Sequence, residues 1–242
     1  MKIALISDVH GHHTALRAVL DDIEREGVSE IVFLGDLATL GPQPRETVQL
    51  LRSLNCPCIM GNHDEFMLRP ELVETYTSAP PVVAAIHWCR EQLSPDELSF
   101  IETFQPKLER SLDDDHKVLL FHGTPTSHTR DVLSTTPAPD LDRILAGVQA
   151  SVVAGGHTHV QMLRQHRGTW VVNPGSVGMP FREYVYGGPP TVLPHAEYAI
   201  LEANRGGVRV DLRRVAVDRS VAVPAIQGCS NPMRDLLLLQ YA

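Results

Sequence analysis

The chain has 242 residues, of which 43% are hydrophobic, and its formal net charge is −8. This length can form a substantial core, and we predict one domain over residues 1–242. No run approaches the roughly 20 apolar residues of a membrane span, and no basic stripe suggests nucleic-acid binding. We therefore expect neither a membrane nor a nucleic acid as partner. We expect a cytoplasmic protein, because the chain begins with a strand rather than a signal peptide.

The first half of the chain alternates between apolar runs and amphipathic segments. The runs KIALIS, EIVFLG and CPCIM predict three strands. The segments His12–Glu26 and Pro44–Leu54 between them carry apolar residues at helical spacing. This βαβαβ order is typical of parallel strands.

The middle of the chain is predicted to be helical, and the second half mainly antiparallel. Predicted helices are Val82–Gln92, a segment from the Ser94 capping box to about Phe104, and Asp140–Ala150. Predicted hairpins pair Lys107–Leu112 with Lys117–Phe121, Val160–His166 with Thr169–Val172, and Ala196–Ala203 with Val208–Val217. Phe181–Pro194 is predicted to be a long loop over the site. The pattern favours an α/β fold in which two mixed sheets pack face to face, flanked by helices.

Five short motifs rich in histidine and carboxylate residues each follow a predicted strand. They are Asp8-Val9-His10, Gly35-Asp36, Gly61-Asn62-His63-Asp64, His122-Gly123 and Gly155-Gly156-His157-Thr158-His159. Strand ends are where open α/β sheets bind their ligands. Oxygen and imidazole groups that meet in one crevice suit a transition-metal pair. Five motifs in the same position relative to a strand therefore predict a metal site.

The motif around His63 has two interpretations when it is taken alone. Asn62 could supply a neutral amide ligand, with His63 as a general acid and Asp64 orienting its imidazole. Alternatively, the segment is a capping turn, since asparagine and aspartate favour such turns. The local pattern leaves both interpretations open.

Taken in order, the five motifs resemble the signature of the calcineurin-like metallophosphoesterase superfamily over nearly the whole chain. The chain resembles in particular small bacterial and archaeal YfcE-type phosphodiesterases and diadenosine tetraphosphate hydrolases. The resemblance implies two metal sites that share Asp36 as a bridge. One ion would be held by Asp8, His10, Asp36 and His159, and the other by Asp36, Asn62, His122 and His157. It also implies that His63, paired with Asp64, is catalytic and can protonate the leaving group.

The implied activity is metal-dependent hydrolysis of small phosphodiesters or nucleotide-type phosphoesters by a hydroxide that bridges two divalent ions. The ligand types favour Mn²⁺, with iron, Zn²⁺ or Ni²⁺ as alternatives. The implied partner is a small phosphoester or nucleotide substrate. Alternative functions are a dinucleoside polyphosphate hydrolase, a phosphomonoesterase, or a non-catalytic scaffold of the same fold.

Two further residues are predicted substrate contacts. Arg182 follows the run NPGSVGMPF, in a region where members of the superfamily often carry an arginine, and a guanidinium suits phosphate. The alternative is a surface arginine. His12 stands where many relatives have asparagine and could contact phosphate, or it could be a solvated loop residue.

Overall fold

The computed structural model describes residues 1–242, and its secondary structure forms two sheets surrounded by helices. The strands are β1 (Lys2–Ile6), β2 (Glu30–Phe33), β3 (Leu108–Ser111), β4 (Lys117–Leu120), β5 (Val152–Ala154), β6 (Met162–His166), β7 (Thr169–Asn173), β8 (His195–Asn204) and β9 (Gly207–Ala216). The helices are α1 (His13–Arg25), α2 (Pro44–Ser53), α3 (Asn62–Leu68), α4 (Val73–Tyr76), α5 (Pro80–Glu91), α6 (Pro95–Glu102), α7 (Ala138–Ile144), α8 (Arg219–Gly228) and α9 (Arg234–Leu239). A 3₁₀ turn at Pro70–Leu72 precedes α4.

Both sheets are mixed, which confirms the predicted fold class. The first has the order β2-β1-β8-β9, with β1 parallel to β2 and antiparallel to β8. The second has the order β3-β4-β5-β7-β6, in which β4, β5 and β7 are parallel and the two edge strands are antiparallel to their neighbours. The three predicted hairpins are all present.

The continuous apolar sequence of β1 reflects burial on both faces of its sheet. Successive side chains of a strand point to opposite faces. Ile3 and Leu5 therefore join a core shared with Val118 and Leu120 of the second sheet. Ala4 and Ile6 point the other way, into the larger core that also contains residues of α1. A strand that is buried on both faces has a continuous apolar sequence rather than an alternating one.

The third predicted strand, CPCIM, is reduced to isolated bridges. Phe33 bridges Cys58 and Ile59 bridges Gln105, both in parallel. Pro57 lacks the amide hydrogen that a regular ladder needs, and the chain enters α3 five residues later, at Asn62. The prediction of a regular strand here is therefore wrong, although the segment still runs beside β2.

The helix predicted at Asp140–Ala150 is shorter than expected. It ends at Ile144, and Gly147 has a φ of +79°. A residue in that left-handed conformation cannot continue an α-helix. The sequence patterns also did not predict the short helices α3, α4, α8 and α9. Among the helices of the structure, none has both the length and the apolar character of a membrane span.

Candidate metal centre

The five motifs meet at one edge of the two sheets. Asp8 and His10 follow β1, and Asp36 follows β2. His122 follows β4, and the histidines of the last motif follow β5. Asn62, His63 and Asp64 form the first turn of α3. Because the parallel strands end at the same edge, residues far apart in sequence become neighbours.

Seven predicted ligands divide into two groups that share one carboxylate. Asp8, His10, Asp36 and His159 present ligand atoms within 4.8 Å of one another, and so do Asp36, His122 and His157. The amide oxygen of Asn62 lies 3.1 Å from His122 Nε2. Asp36 thus lies between two clusters, either of which could hold a metal ion.

Hydrogen bonds from the far sides of two rings fix which nitrogens face the centre. His159 Nδ1 donates to the carbonyl oxygen of Met179 at 2.8 Å, and His122 Nδ1 donates to that of Leu34 at 2.8 Å. A carbonyl oxygen can only accept, so the ring proton of each neutral imidazole lies on Nδ1. Nε2 then directs a lone pair into the centre, as metal-binding histidines do.

The groups that face the centre are mostly hydrogen-bond acceptors. His10 Nε2 and His159 Nε2 lie 3.0 Å apart. His122 Nε2 lies 3.3 Å from Asp36 Oδ2 and 3.1 Å from Asn62 Oδ1. Facing lone pairs repel one another unless a metal ion or a proton lies between them. The mixture of imidazole nitrogen and carboxylate or amide oxygen fits a transition-metal ion.

The pKa values of His122 and Asp36 also indicate that positive charge is stabilised at this centre. Burial lowers the pKa of His122, but the Asp36 carboxylate more than compensates and raises it to about 9. Burial raises the pKa of Asp36, but His122 and the other imidazoles hold it well below its usual range. The buried Asp36 carboxylate is therefore ionised, and a positive charge beside it, on an imidazole or on a metal ion, stabilises it.

Backbone strain is concentrated at the same residues. Eight non-glycine residues have positive φ, and five of them are predicted ligands: Asp8, His10, Asp36, His157 and His159. Such a conformation costs roughly 1–3 kcal/mol for each residue and persists where the surroundings enforce it. Gly61 and Gly156 allow this close packing, since a Cβ atom at either would clash with the Asp36 or the Asp8 carboxylate.

The Asp64 carboxylate does not contact the His63 ring. Its oxygens accept hydrogen bonds from the backbone amides of Asp36 at 2.7 Å, Leu37 at 2.9 Å and Gly61 at 2.9 Å. The prediction that Asp64 orients His63 is therefore wrong, because Asp64 caps the start of α3. Asp64 instead holds the Gly35–Leu37 loop against the start of α3.

Thr39, rather than Asp64, contacts the His63 ring. Its hydroxyl oxygen lies 3.0 Å from His63 Nδ1 and 3.0 Å from His10 Nδ1. It therefore links the catalytic candidate to a predicted metal ligand. The His63 ring is 8% exposed, and burial lowers the pKa of His63 to about 4, with Asp36 opposing the shift.

A cavity of about 220 Å³ opens above the two groups. Its floor contains His10, Asp36 and His63. Its walls are formed by Tyr76 of α4, by Asp131, and by side chains of the predicted loop Phe181–Pro194. The loop therefore covers the site as expected. Burial, reinforced by nearby carboxylates, raises the pKa of Tyr76 to about 12.

Comparison with known proteins agrees with this arrangement. Residues 1–202 match the calcineurin-like phosphoesterase superfamily domain. The chain belongs to this superfamily. The match confirms the resemblance that the ordered motifs indicated.

Individual relatives of this phosphoesterase domain cover different shares of the chain. An uncharacterized protein of Methanocaldococcus jannaschii is 30% identical over 193 residues, which is 74% of this chain and 76% of that protein. A symmetrical bis(5'-nucleosyl)-tetraphosphatase of Photorhabdus laumondii is 29% identical over 136 residues, or 51% of this chain and only 44% of that enzyme. A crystal structure of a metallophosphoesterase from Sphaerobacter thermophilus has a TM-score of 0.73 at 27% identity, covering 99% of this chain and all of that one.

Neither predicted substrate contact lines the cavity. The His12 ring is 4% exposed, packs beside Gly41 and Gly178, and its Nε2 atom has no hydrogen-bond partner. It is thus neither a phosphate contact nor the solvated residue of the alternative interpretation. Arg182 is 61% exposed and pairs with Glu183. Its guanidinium lies outside the cavity because this part of the loop faces solvent.

The sequence patterns also missed three residues at the site: Thr39 beneath the cavity, and Asp131 and Tyr184 in its wall. Thr39 lies between Asp36 and Gly41 without a motif of its own, and Asp131 lies in an irregular segment between β4 and α7. Tyr184 falls inside the loop that was expected to cover the site, and that position was the only signal for it. Contacts between segments so distant in the chain leave no local periodicity.

Proposed function

We propose that the protein is a metal-dependent hydrolase of small phosphodiesters that uses two divalent ions, with Mn²⁺ as the principal candidate. The observation that carries this proposal is the pair of ligand groups that share Asp36 beneath an open cavity. A non-catalytic scaffold of the same fold would not need both groups together with an unblocked cavity above them.

The proposed ligands follow the two groups. One ion would be held by Asp8, His10, Asp36 and His159, and the other by Asp36, Asn62, His122 and His157. When bound, two such ions lower the pKa of water and neutralise charge on a phosphoryl oxygen. The residues fit this role because imidazole nitrogens and carboxylate oxygens of both groups converge on two points that share Asp36.

The hydrogen bonds of Thr39 determine the tautomer that we propose for His63. With Nε2 of His10 given to a metal, its Nδ1 carries the ring proton and donates to Thr39 Oγ1. The Thr39 hydroxyl proton is then free to be donated to His63 Nδ1. His63 accepts there, so its own proton lies on Nε2. A neutral His63 therefore offers an N–H donor to the phosphate.

In the proposed reaction, water adds to phosphorus and the bond between phosphorus and the leaving ester oxygen breaks. The leaving oxygen takes up a proton, which yields a phosphomonoester and an alcohol. The Nε2–H group of His63 donates a hydrogen bond to a phosphoryl oxygen whose negative charge grows in the transition state. A preorganised donor in a buried position is most effective at such a place.

Replacing Thr39 with valine is expected to lower kcat by roughly 10- to 100-fold, the usual cost of losing a group that orients a metal-binding histidine. Valine preserves the shape of the side chain but removes the hydroxyl that joins His10 to His63. The measurement is steady-state turnover of the Mn²⁺-loaded enzyme. Thr39→Ser keeps the hydroxyl and should recover most of the activity. Equal activity of the serine and valine variants would contradict the proposed hydrogen-bond relay.

Removal of the metal is expected to lower the melting temperature of the protein. Ligand binding at 100 times Kd stabilises a fold by about 2.7 kcal/mol, which corresponds to a change in Tm of roughly 5–10 °C for a domain of this size. The ions also compensate the repulsion between facing lone pairs. Calorimetry of the Mn²⁺-saturated protein with and without a chelator would measure the shift. An unchanged Tm would argue against a metal centre in the folded protein.

A dinucleoside polyphosphate hydrolase is the second candidate, because the Photorhabdus laumondii enzyme matches about half of this chain. The two candidates differ in the substrates that they favour. The test is the Mn²⁺-dependent turnover of bis-p-nitrophenyl phosphate, p-nitrophenyl phosphate and diadenosine tetraphosphate. We expect the diester to be preferred. Preference for the tetraphosphate would establish the second candidate, and no turnover of any substrate would support the scaffold.

A further inference from the structure

One carboxylate in the wall of the cavity belongs to neither ligand group. Asp131 lines the same cavity as Asp36 and His157, and its side chain is 37% exposed. Asp131 Oδ1 lies 3.3 Å from His157 Nε2. A phosphate bound above Asp36 would therefore have a negative charge beside it in addition to the charges of the ligands.

The position of this carboxylate is fixed from the side of the covering loop. The Tyr184 hydroxyl donates a hydrogen bond of 2.6 Å to Asp131 Oδ2. The ring of Tyr184 packs against Tyr186 of the same loop at a centroid distance of 5.0 Å. Asp131 is thus held between the loop and His157, where it lines the cavity.

The nearest loop cation does not offset that charge. The guanidinium of Arg182 pairs with Glu183 at 3.1 Å and lies in a separate, neighbouring cavity together with that glutamate. The wall formed by the loop and Asp131 therefore presents to a substrate one carboxylate, the hydroxyl of Tyr184 and apolar or aromatic surface.

We propose that Asp131 is a specificity-determining residue that selects phosphodiesters over phosphomonoesters, with Tyr184 as the positioning residue that holds it. This inference rests on the proposed function. A phosphodiester carries one negative charge, whereas a monoester carries up to two, since its second pKa is near 6. Asp131 therefore repels the monoester more strongly, while the aromatic and apolar wall accepts the second ester group of a diester.

The test compares kcat/KM for bis-p-nitrophenyl phosphate and p-nitrophenyl phosphate, which share one leaving group, with Mn²⁺-loaded protein near pH 8. Asp131→Asn removes the charge and should raise the monoester-to-diester ratio of kcat/KM roughly 5- to 20-fold, the scale expected when one partly screened charge in a cavity wall is removed. Asp131→Ser is a second neutral variant, in case the amide disturbs folding. The inhibition constant of inorganic phosphate should fall by a similar factor.

Two controls separate the local charge from other effects. Asp131→Glu keeps the charge and should keep the ratio of the wild type. Glu74→Gln changes the net charge equally at an exposed position of α4 and should also leave the ratio unchanged. Tyr184→Phe should raise the ratio by less than Asp131→Asn does, because the carboxylate remains but is no longer held.

The outcomes distinguish this inference from the proposed function. An inactive wild type would refute the proposed function, and the inference with it. If the wild type is active and neither Asp131→Asn nor Asp131→Ser changes the ratio from the wild-type value, only the role of Asp131 is refuted. If Asp131→Asn binds one metal ion fewer than the wild type, Asp131 is a metal ligand, and the inference is also overturned.

Discussion

Asp36→Ala is expected to remove both metal ions and to abolish hydrolysis. Asp36 is the only side chain in both ligand groups, and it is fully buried between them. Loss of a group that merely orients a ligand costs about 10- to 100-fold, so loss of a shared ligand should cost more than roughly 100-fold in kcat/KM. Metal analysis of the dialysed variant and turnover of bis-p-nitrophenyl phosphate measure the two effects.

Asp8→Ala provides the matched comparison for this variant. Asp8 belongs to one group only, so its loss should weaken one site and leave the other able to bind. Both substitutions remove a buried carboxylate from a strand end, and both are expected to disturb folding to a similar degree. Two ions retained by the Asp36 variant would contradict the assignment of Asp36 as the bridge.

His63→Ala is expected to keep both metal ions and to lose roughly 10²- to 10³-fold in kcat, the usual cost of removing one donor to a developing oxyanion. His63 follows the proposed ligand Asn62 directly, but its ring contacts Thr39 and lines the cavity instead of joining either group. Metal content and turnover of the variant test this expectation. His87→Ala, at an exposed position of α5, is the control for loss of a histidine.

The dependence on leaving group separates two roles for His63. The sequence suggested a general acid, and in that case the loss should shrink for good leaving groups such as p-nitrophenol, which need little protonation. The tautomer that we propose from the hydrogen bonds of Thr39 instead favours a neutral donor to a phosphoryl oxygen. We therefore expect a similar loss for p-nitrophenyl and alkyl diesters. A loss confined to the alkyl diesters would restore the general acid.

The strand ends could be predicted from sequence because their signal is local. An apolar run followed at once by a polar motif marks where a buried strand leaves the sheet, and Asp8, Asp36 and His122 all follow this pattern. Parallel strands bring their carboxyl ends together, so the meeting of the motifs needed no further information. The loop over the site was predictable because its proline and glycine residues exclude regular structure.

The partners of individual side chains could not be predicted in this way. Asp64 stands next to His63, yet Thr39, 24 residues earlier, contacts its ring. Helix α3 begins at Asn62 and turns Asp64 back towards the amides of its own first turn and of the Gly35–Leu37 loop. The pairing of Asp131 with Tyr184 spans 53 residues. Such contacts depend on tertiary packing, which has no local sequence pattern.

The most direct test of a two-metal centre is a crystal structure of the protein soaked with Mn²⁺, measured with anomalous scattering at the manganese edge. We expect two peaks about 3.5–4 Å apart, one on each side of the Asp36 carboxylate, with His122 and His159 on opposite ions. A single peak, or peaks that do not contact Asp36, would contradict the account.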